Sequence, residues 1–218
     1  MCADAQKLPF PIFLLLLFCN MFFSQLRRIL FISLFTSPSS CMHAWSEGNI
    51  SMHTDSDRFL ITPSEKSLRD LRAQDFILVD SNGQAVRGVI DSNRKPSIET
   101  RLHLKIYEAR NDVASVIHSH PIHVIIYSYL DKPLPFLELL GKTRSIPIIP
   151  YYPPGSYKLA NEVAKQIRFN DAVILKKHGL VTVGKTINDA YELIEALEKN
   201  AHIRISVQQL FGSSKDSV

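Results

Sequence analysis

Two histidines, His118 and His120, stand two apart in the apolar run VASVIHSH (113–120), which its β-branched residues mark as a strand. Side chains on a strand alternate between faces, so both imidazoles point the same way, as two ligands of one metal ion must. The pair alone also fits two surface or partly buried histidines. A catalytic zinc takes at least three protein ligands and keeps one position open for substrate. His178 is a third candidate, at the end of a second β segment, where Gly179 lets the chain turn sharply beside an ion. His43, His53, His103, His123 and His202 lack such placement and read as structural or solvated.

Glu99 is the next group to weigh. It begins a helical stretch ahead of the His-x-His strand, and in layered folds a helix start often shares a sheet edge with the end of the following strand. Beside a metal ion a carboxylate serves as ligand or as general base. The alternative is charge compensation at a helix N-terminus, worth about a few tenths of a kcal/mol.

Elements of two periods would have to position these groups. DFILVD (75–80) reads as a strand closed by the turn Ser81-Asn82-Gly83. SIETRLHLKIYEAR (97–110) reads as a helix with Ser97 as its N-cap and Ile98, Leu102, Ile106 and Ala109 on one stripe. Residues 156–168 read as a second helix, with Leu159, Val163 and Ile167 at every fourth position. AVILKKHGLVTVG (172–184) reads as two β segments bent at Gly179. A last helix, 187–210, aligns Ala190, Ile194, Leu197, Ala201 and Ile205, and a polar tail GSSKDSV follows. Strands interleaved with helices argue for a layered sheet covered by helices.

Composition narrows the classes further. The chain has 218 residues, 45% of them hydrophobic, enough for one sizeable core, which excludes a disordered or fibrous protein. A net charge of +4 without dense Lys/Arg clusters argues against a nucleic-acid partner. Cys2, Cys19 and Cys41 are all the cysteines, so neither a disulfide framework nor a cysteine-ligated metal belongs to the main domain. The first 40 residues differ from the rest. LPFPIFLLLLFC (8–19) is shorter than the roughly 18 apolar residues that a membrane-spanning helix needs. Three readings stand side by side: a weak signal or membrane anchor, a helix packed on the domain, and a segment joined by an atypical start. Pro38, set among serines, marks the boundary, giving segment 1–40, a domain over 41–212 and a tail over 213–218.

The words around the candidate residues carry a resemblance. EGNIS (47–51), FLITPS (59–64), KPSIETRLHLKIY (95–107), VIHSHP (116–121) and LKKHGLVTVG (175–184) resemble, in order and spacing, the class II aldolase/adducin family over about residues 45–210. The resemblance implies an α/β fold, a three-layer αβα sandwich with a mixed, largely antiparallel sheet. It implies one Zn2+ per chain held by His118, His120 and His178, with Glu99 as the acid/base carboxylate. It further implies a sugar-phosphate substrate whose phosphate lies among Ser46, Asn49, Ser64 and Ser97, and a homotetramer with active sites between subunits. The expected location is cytoplasmic, with membrane contact through residues 8–35, or secretion, left open by the hydrophobic N-terminal segment.

Departures from the family pattern bear on the substrate. Ser64 is followed by Glu65 where the family usually has glycine, and Ile98 replaces a serine before Glu99, so weaker phosphate recognition is expected. Glu65 could instead point to solvent and favour the N-terminus of a short helix in EKSLRDL. The family's proton-donating tyrosines correspond to FLELL (136–140) and to the C-terminal tail, which contain none; Tyr127, Tyr129, Tyr151 and Tyr152 are the candidates to replace them. Three functions result. The first is a zinc-dependent lyase performing retro-aldol cleavage of a small sugar phosphate or related hydroxy-carbonyl compound through a metal-stabilised enediolate. The others are a dehydratase or epimerase on the same scaffold, and a non-catalytic adducin-like interaction module.

Overall fold

The computed structural model describes residues 47–55, 57–86, 94–135 and 145–211. The hydrophobic segment 1–40, Ser46, His43, the stretch 136–140 and the tail 213–218 lie outside the described residues. Strands β1 (Gly48–Asp55), β2 (Arg58–Ile61), β3 (Ile77–Asp80), β4 (Ser115–Ser119), β5 (Ile148–Ile149), β6 (Ala172–Leu175) and β7 (Gly179–Gly184) form one sheet. Its order is β3-β2-β1-β4-β7-β6-β5, and every neighbouring pair is antiparallel except β5 with β6. The helices are α1 (Thr100–Ala109), α2 (Ile122–Tyr127), α3 (Tyr157–Ile167) and α4 (Ile187–Phe211).

The alternation of side chains explains the layers. Val116, Val173, Leu175, Val181 and Val183 point to one face, where they form a core with Leu102, Ile106, Leu159, Val163 and Ile167 of α1 and α3. The opposite face meets α4, whose Ala190 carbonyl accepts a hydrogen bond from Thr182 Oγ1 at 2.8 Å, and α4 in turn packs on α2. The result is the expected αβα sandwich on a largely antiparallel sheet. No helix among the described residues is long and apolar enough to cross a membrane.

Two details of the expected elements are corrected. Helix α1 begins at Thr100, with Glu99 and not Ser97 at the N-cap position. Ser97 instead closes a turn: its carbonyl accepts from Thr100 N at 3.0 Å and its Oγ accepts from Glu99 N at 3.3 Å. That turn swings Ile98 out of the apolar stripe and leaves it 70% exposed. The bend between β6 and β7 falls at Lys177, which has φ +58°, and not at Gly179, the first residue of β7. A third expectation is only partly met, since the helix in EKSLRDL is a three-residue 3-10 turn (Leu68–Asp70) capped by Ser67.

Candidate metal centre

Three elements bring the histidines together. His118 lies in β4, opposite Asn49 on β1 and Val181 on β7, His120 follows the end of β4, and His178 sits on the turn between β6 and β7. One ligand nitrogen of each lies within 4.8 Å of the others. Gly179 makes this convergence possible. A Cβ there would stand 2.5 Å from the Ser119 carbonyl oxygen, 2.8 Å from the His120 ring and 3.0 Å from the His118 ring. Gly48 has the same task on β1, where a Cβ would lie 2.3 Å from the His118 carbonyl oxygen.

The hydrogen bonds of the rings leave the right nitrogens free. His118 Nδ1 donates to the Leu180 carbonyl at 3.1 Å, and His120 Nδ1 donates to Glu47 Oε2 at 3.0 Å. Their two Nε2 atoms, 3.0 Å apart, are close to the spacing of about 3.3 Å that two imidazoles on one tetrahedral zinc require. Burial pushes the pKa of His118 well below its usual value, and the adjacent His120 and His178 push it further. Burial also lowers that of His178, against the opposing pull of Glu99. Neutral imidazoles with unshared lone pairs are what a metal ion takes up.

Glu99 closes the group. Its Oε2 lies 3.2 Å from His118 Nε2 and accepts from Asn49 Nδ2 at 2.9 Å, while its Oε1 lies 4.0 Å from His178 Nε2. Glu99 Oε1 and His178 Nδ1 are buried and have no hydrogen-bond partner among the described residues. Orphaned polar atoms beside three converging imidazoles fit a bound cation, so this donor set passes the test for a divalent metal.

The expected phosphate-binding groups are placed less openly. Asn49 is buried and occupied with Glu99. Ser64 spends its hydroxyl on the Pro96 carbonyl at 2.8 Å and its N–H on the Lys95 carbonyl at 2.9 Å. Ser97 is buried in the turn before α1. Glu65 is exposed with φ +61°, the left-handed region that favours glycine. Of the candidate tyrosines, Tyr127 is buried and Tyr152 packs on the core, whereas Tyr151 and Tyr129 are exposed. Tyr129 lies against the turn that carries His178, its ring 5.2 Å from Lys177 Nζ.

Sequence reasoning missed Glu47 as the partner of His120, and missed the depth at which His103 and Tyr107 sit behind Glu99. A signal for the latter two existed. Glu99, His103 and Tyr107 follow one another at intervals of four, the spacing of one helix face.

Residues 38–205 match the Class II Aldolase and Adducin N-terminal domain family, and the chain belongs to that family, with the aldolase-type lyases as its kin. The L-fuculose phosphate aldolase of Methanococcus maripaludis is 37% identical over 167 residues, 76% of this chain and 88% of that enzyme. The 3-oxo-tetronate 4-phosphate decarboxylase of Haemophilus influenzae is 30% identical over 171 residues, 74% of this chain and 78% of that enzyme. Among solved structures, an L-fuculose 1-phosphate aldolase superposes with TM-score 0.73 at 25% identity, covering 87% of this chain and 88% of that one. The L-fuculose-1-phosphate aldolase of Thermus thermophilus has the same fold, with TM-score 0.73 at 22% identity over 91% of this chain and all of that one.

Proposed function

We propose that the chain is a zinc-dependent lyase that cleaves a ketose 1-phosphate by a retro-aldol reaction. The observation that carries the reading is the convergence of His118, His120 and His178 beside a carboxylate with one unpartnered oxygen. Held by three neutral imidazoles, zinc would keep its double charge, polarise the substrate carbonyl and stabilise the negative charge that develops as the carbon-carbon bond breaks. The rest falls to the chain. Glu99 Oε1 takes the proton of the C4 hydroxyl, the C3–C4 electron pair passes toward the C2 carbonyl, and an aldehyde departs. The same proton, returned by Glu99 to C3, completes dihydroxyacetone phosphate. Asn49 holds the other carboxylate oxygen throughout.

One zinc per chain, a catalytic domain over 41–212 and a homotetramer belong to the same reading, supported by the family match over residues 38–205. Phosphate contacts from Ser46 and Ser97 belong to it as well, whereas Ser64 would have to release the Pro96 carbonyl to join them and Asn49 is held by Glu99 and His103. A second reading is decarboxylation of a 3-oxo acid phosphate, which the likeness to the Haemophilus influenzae decarboxylase favours and which also needs a stabilised carbanion. Retention of all four site groups speaks against a purely scaffolding role, for which nothing requires them to converge.

Turnover by purified, zinc-loaded protein on L-fuculose 1-phosphate, other ketose phosphates and 3-oxo acid phosphates separates these readings. Release of dihydroxyacetone phosphate supports the lyase, and carbon dioxide the decarboxylase. Glu99→Gln is expected to retain zinc and lose most turnover, about a hundredfold or more, because the amide keeps the shape and cannot accept a proton. Normal kinetics in that variant would remove Glu99 from the mechanism.

A further inference from the structure

Behind Glu99 runs a line of buried polar groups, of which the reaction above uses only the first, Asn49. Asn49 Nδ2 donates to Glu99 Oε2 at 2.9 Å, and Asn49 Oδ1 lies 2.5 Å from His103 Nε2. His103 Nδ1 lies 2.6 Å from Ser51 Oγ, which lies 2.8 Å from the Tyr107 hydroxyl. All four residues beyond Glu99 are at most 6% exposed. Asn49 and Ser51 share one face of β1, and His103 and Tyr107 follow the N-cap residue Glu99 along the facing side of α1.

Valence fixes the direction of every bond in this line. A carboxylate oxygen only accepts, so the Asn49 amide turns its NH2 toward Glu99 and its carbonyl toward His103. That carbonyl also only accepts, so His103 carries its proton on Nε2. His103 Nδ1 is then an acceptor, which takes the Ser51 hydroxyl proton, and Ser51 in turn accepts from Tyr107. Burial lowers the pKa of His103 to about 3 against the opposing pull of Glu99, with His118 adding to the lowering, so the ring stays neutral.

We infer that His103 is a positioning residue for Glu99: acting through Asn49 it pins Oε2 and thereby directs Oε1 toward the space beside His178. The inference rests on the reading of Glu99 as the acid/base group. A proton wire is the competing use of such a line, and Asn49 interrupts it, because an amide nitrogen neither gains nor gives up a proton at neutral pH. The line therefore orients and does not conduct. Orientation matters here because a misplacement of about 1 Å at a reacting group costs about a hundredfold in rate.

Two measurements test this. In metal-free, 15N-histidine-labelled protein, the His103 ring, assigned by the signals lost in His103→Gln, should show a protonated Nε2 and a bare Nδ1 from about pH 5 to about pH 8. A protonated Nδ1 overturns the inference. In the zinc-loaded enzyme, His103→Phe should lower kcat about tenfold or more while KM and zinc stoichiometry stay at wild-type values. His103→Gln, whose amide can still donate to Asn49, should restore most of kcat. Unchanged kcat in a folded His103→Phe, or a loss confined to KM or zinc, would overturn it. Should His103→Phe not fold, Ser51→Ala removes only the outer donor: the proton should stay on Nε2, held there by the Asn49 carbonyl, while the less firmly held ring lowers kcat about threefold; a proton moved to Nδ1, or an unaltered kcat, would count against the inference. A wild-type chain without turnover on any ketose phosphate sinks the functional reading alone, since the nitrogen signals need neither substrate nor metal.

Discussion

Glu65 combines a negative charge with a left-handed backbone where the family pattern has glycine. The left-handed φ of +61° is one that glycine adopts freely and glutamate only at a cost of about 1–2 kcal/mol. The exposed carboxylate follows Ser64, whose own hydroxyl is turned to Pro96. Both features oppose a phosphate dianion in this loop. Glu65→Gly is expected to tighten the binding of inorganic phosphate about fivefold at low salt, and less at high salt, because screening already weakens the repulsion. Isothermal titration at two ionic strengths checks this, and equal affinities at low salt would show that the carboxylate faces away from the pocket. The convergence of the histidines was legible in part, because a strand period of two aligns His118 with His120 and a His-Gly pair leaves space at His178. Glu99 alone read equally as a helix-end charge and was set beside them only by the resemblance. The role of Asn49 was not legible. Its amide type fits a phosphate donor as well as a partner for Glu99, and only the pairing of Asn49 with His118 across β1 and β4 decides where it points.

At the scale of elements, the site is a junction of β4, the β6–β7 turn and the start of α1. The turn is held from outside: Lys177 N donates to Ser128 Oγ at 3.0 Å, and Lys176 pairs with Asp131. From inside it is held by the absence of a side chain at Gly179. Gly179→Ala places a methyl group 2.5 Å from the Ser119 carbonyl, against backbone that cannot yield, and is expected to cost about 1–3 kcal/mol and to lower zinc affinity. Denaturant melts with chelator competition check both effects; a variant with unchanged stability and zinc affinity would contradict the packing argument. A second junction is Asp75, which binds Lys66 at 2.5 Å, Arg72 N at 2.7 Å and Arg94. Burial alone would raise its pKa, but these donors outweigh burial and hold it at about 2. Its stabilisation is therefore complete above its ordinary value of 3.8 and fades as the pH falls from there toward 2. Asp75→Asn should lower the denaturant midpoint by the equivalent of about 1–3 kcal/mol at pH 7 and by progressively less below about pH 4. A constant difference across that range would contradict the assignment. The period of the apolar residues announced α1, α3 and α4 and the strands β3, β4, β6 and β7, and it passed over α2, β1, β2 and β5. It could not announce that Ser97 would close a turn and not cap α1, since both uses place the same hydroxyl before the same stripe, nor that Lys177 would take the left-handed φ next to an available glycine.

For the whole molecule, the order of the strands matters more than their number. The central pair β1–β4 puts Asn49 beside His118, β7 next to β4 brings in His178, and α1 runs from Glu99 along the same face. Residues more than seventy positions apart in the chain thus share one pocket, and such long-range placement is what a pattern of short periods cannot show; the family resemblance supplied it. The central claim is that this pocket is a zinc site on which turnover depends. It is tested most directly by stripping the protein with a chelator and titrating zinc back while dihydroxyacetone phosphate release from L-fuculose 1-phosphate is followed. The account predicts that activity vanishes on stripping, returns linearly and saturates at about one zinc per chain, and that His120→Ala neither retains stoichiometric zinc nor recovers. Full activity in the stripped protein, or a His120→Ala variant that saturates at the same point with the same rate, would contradict it.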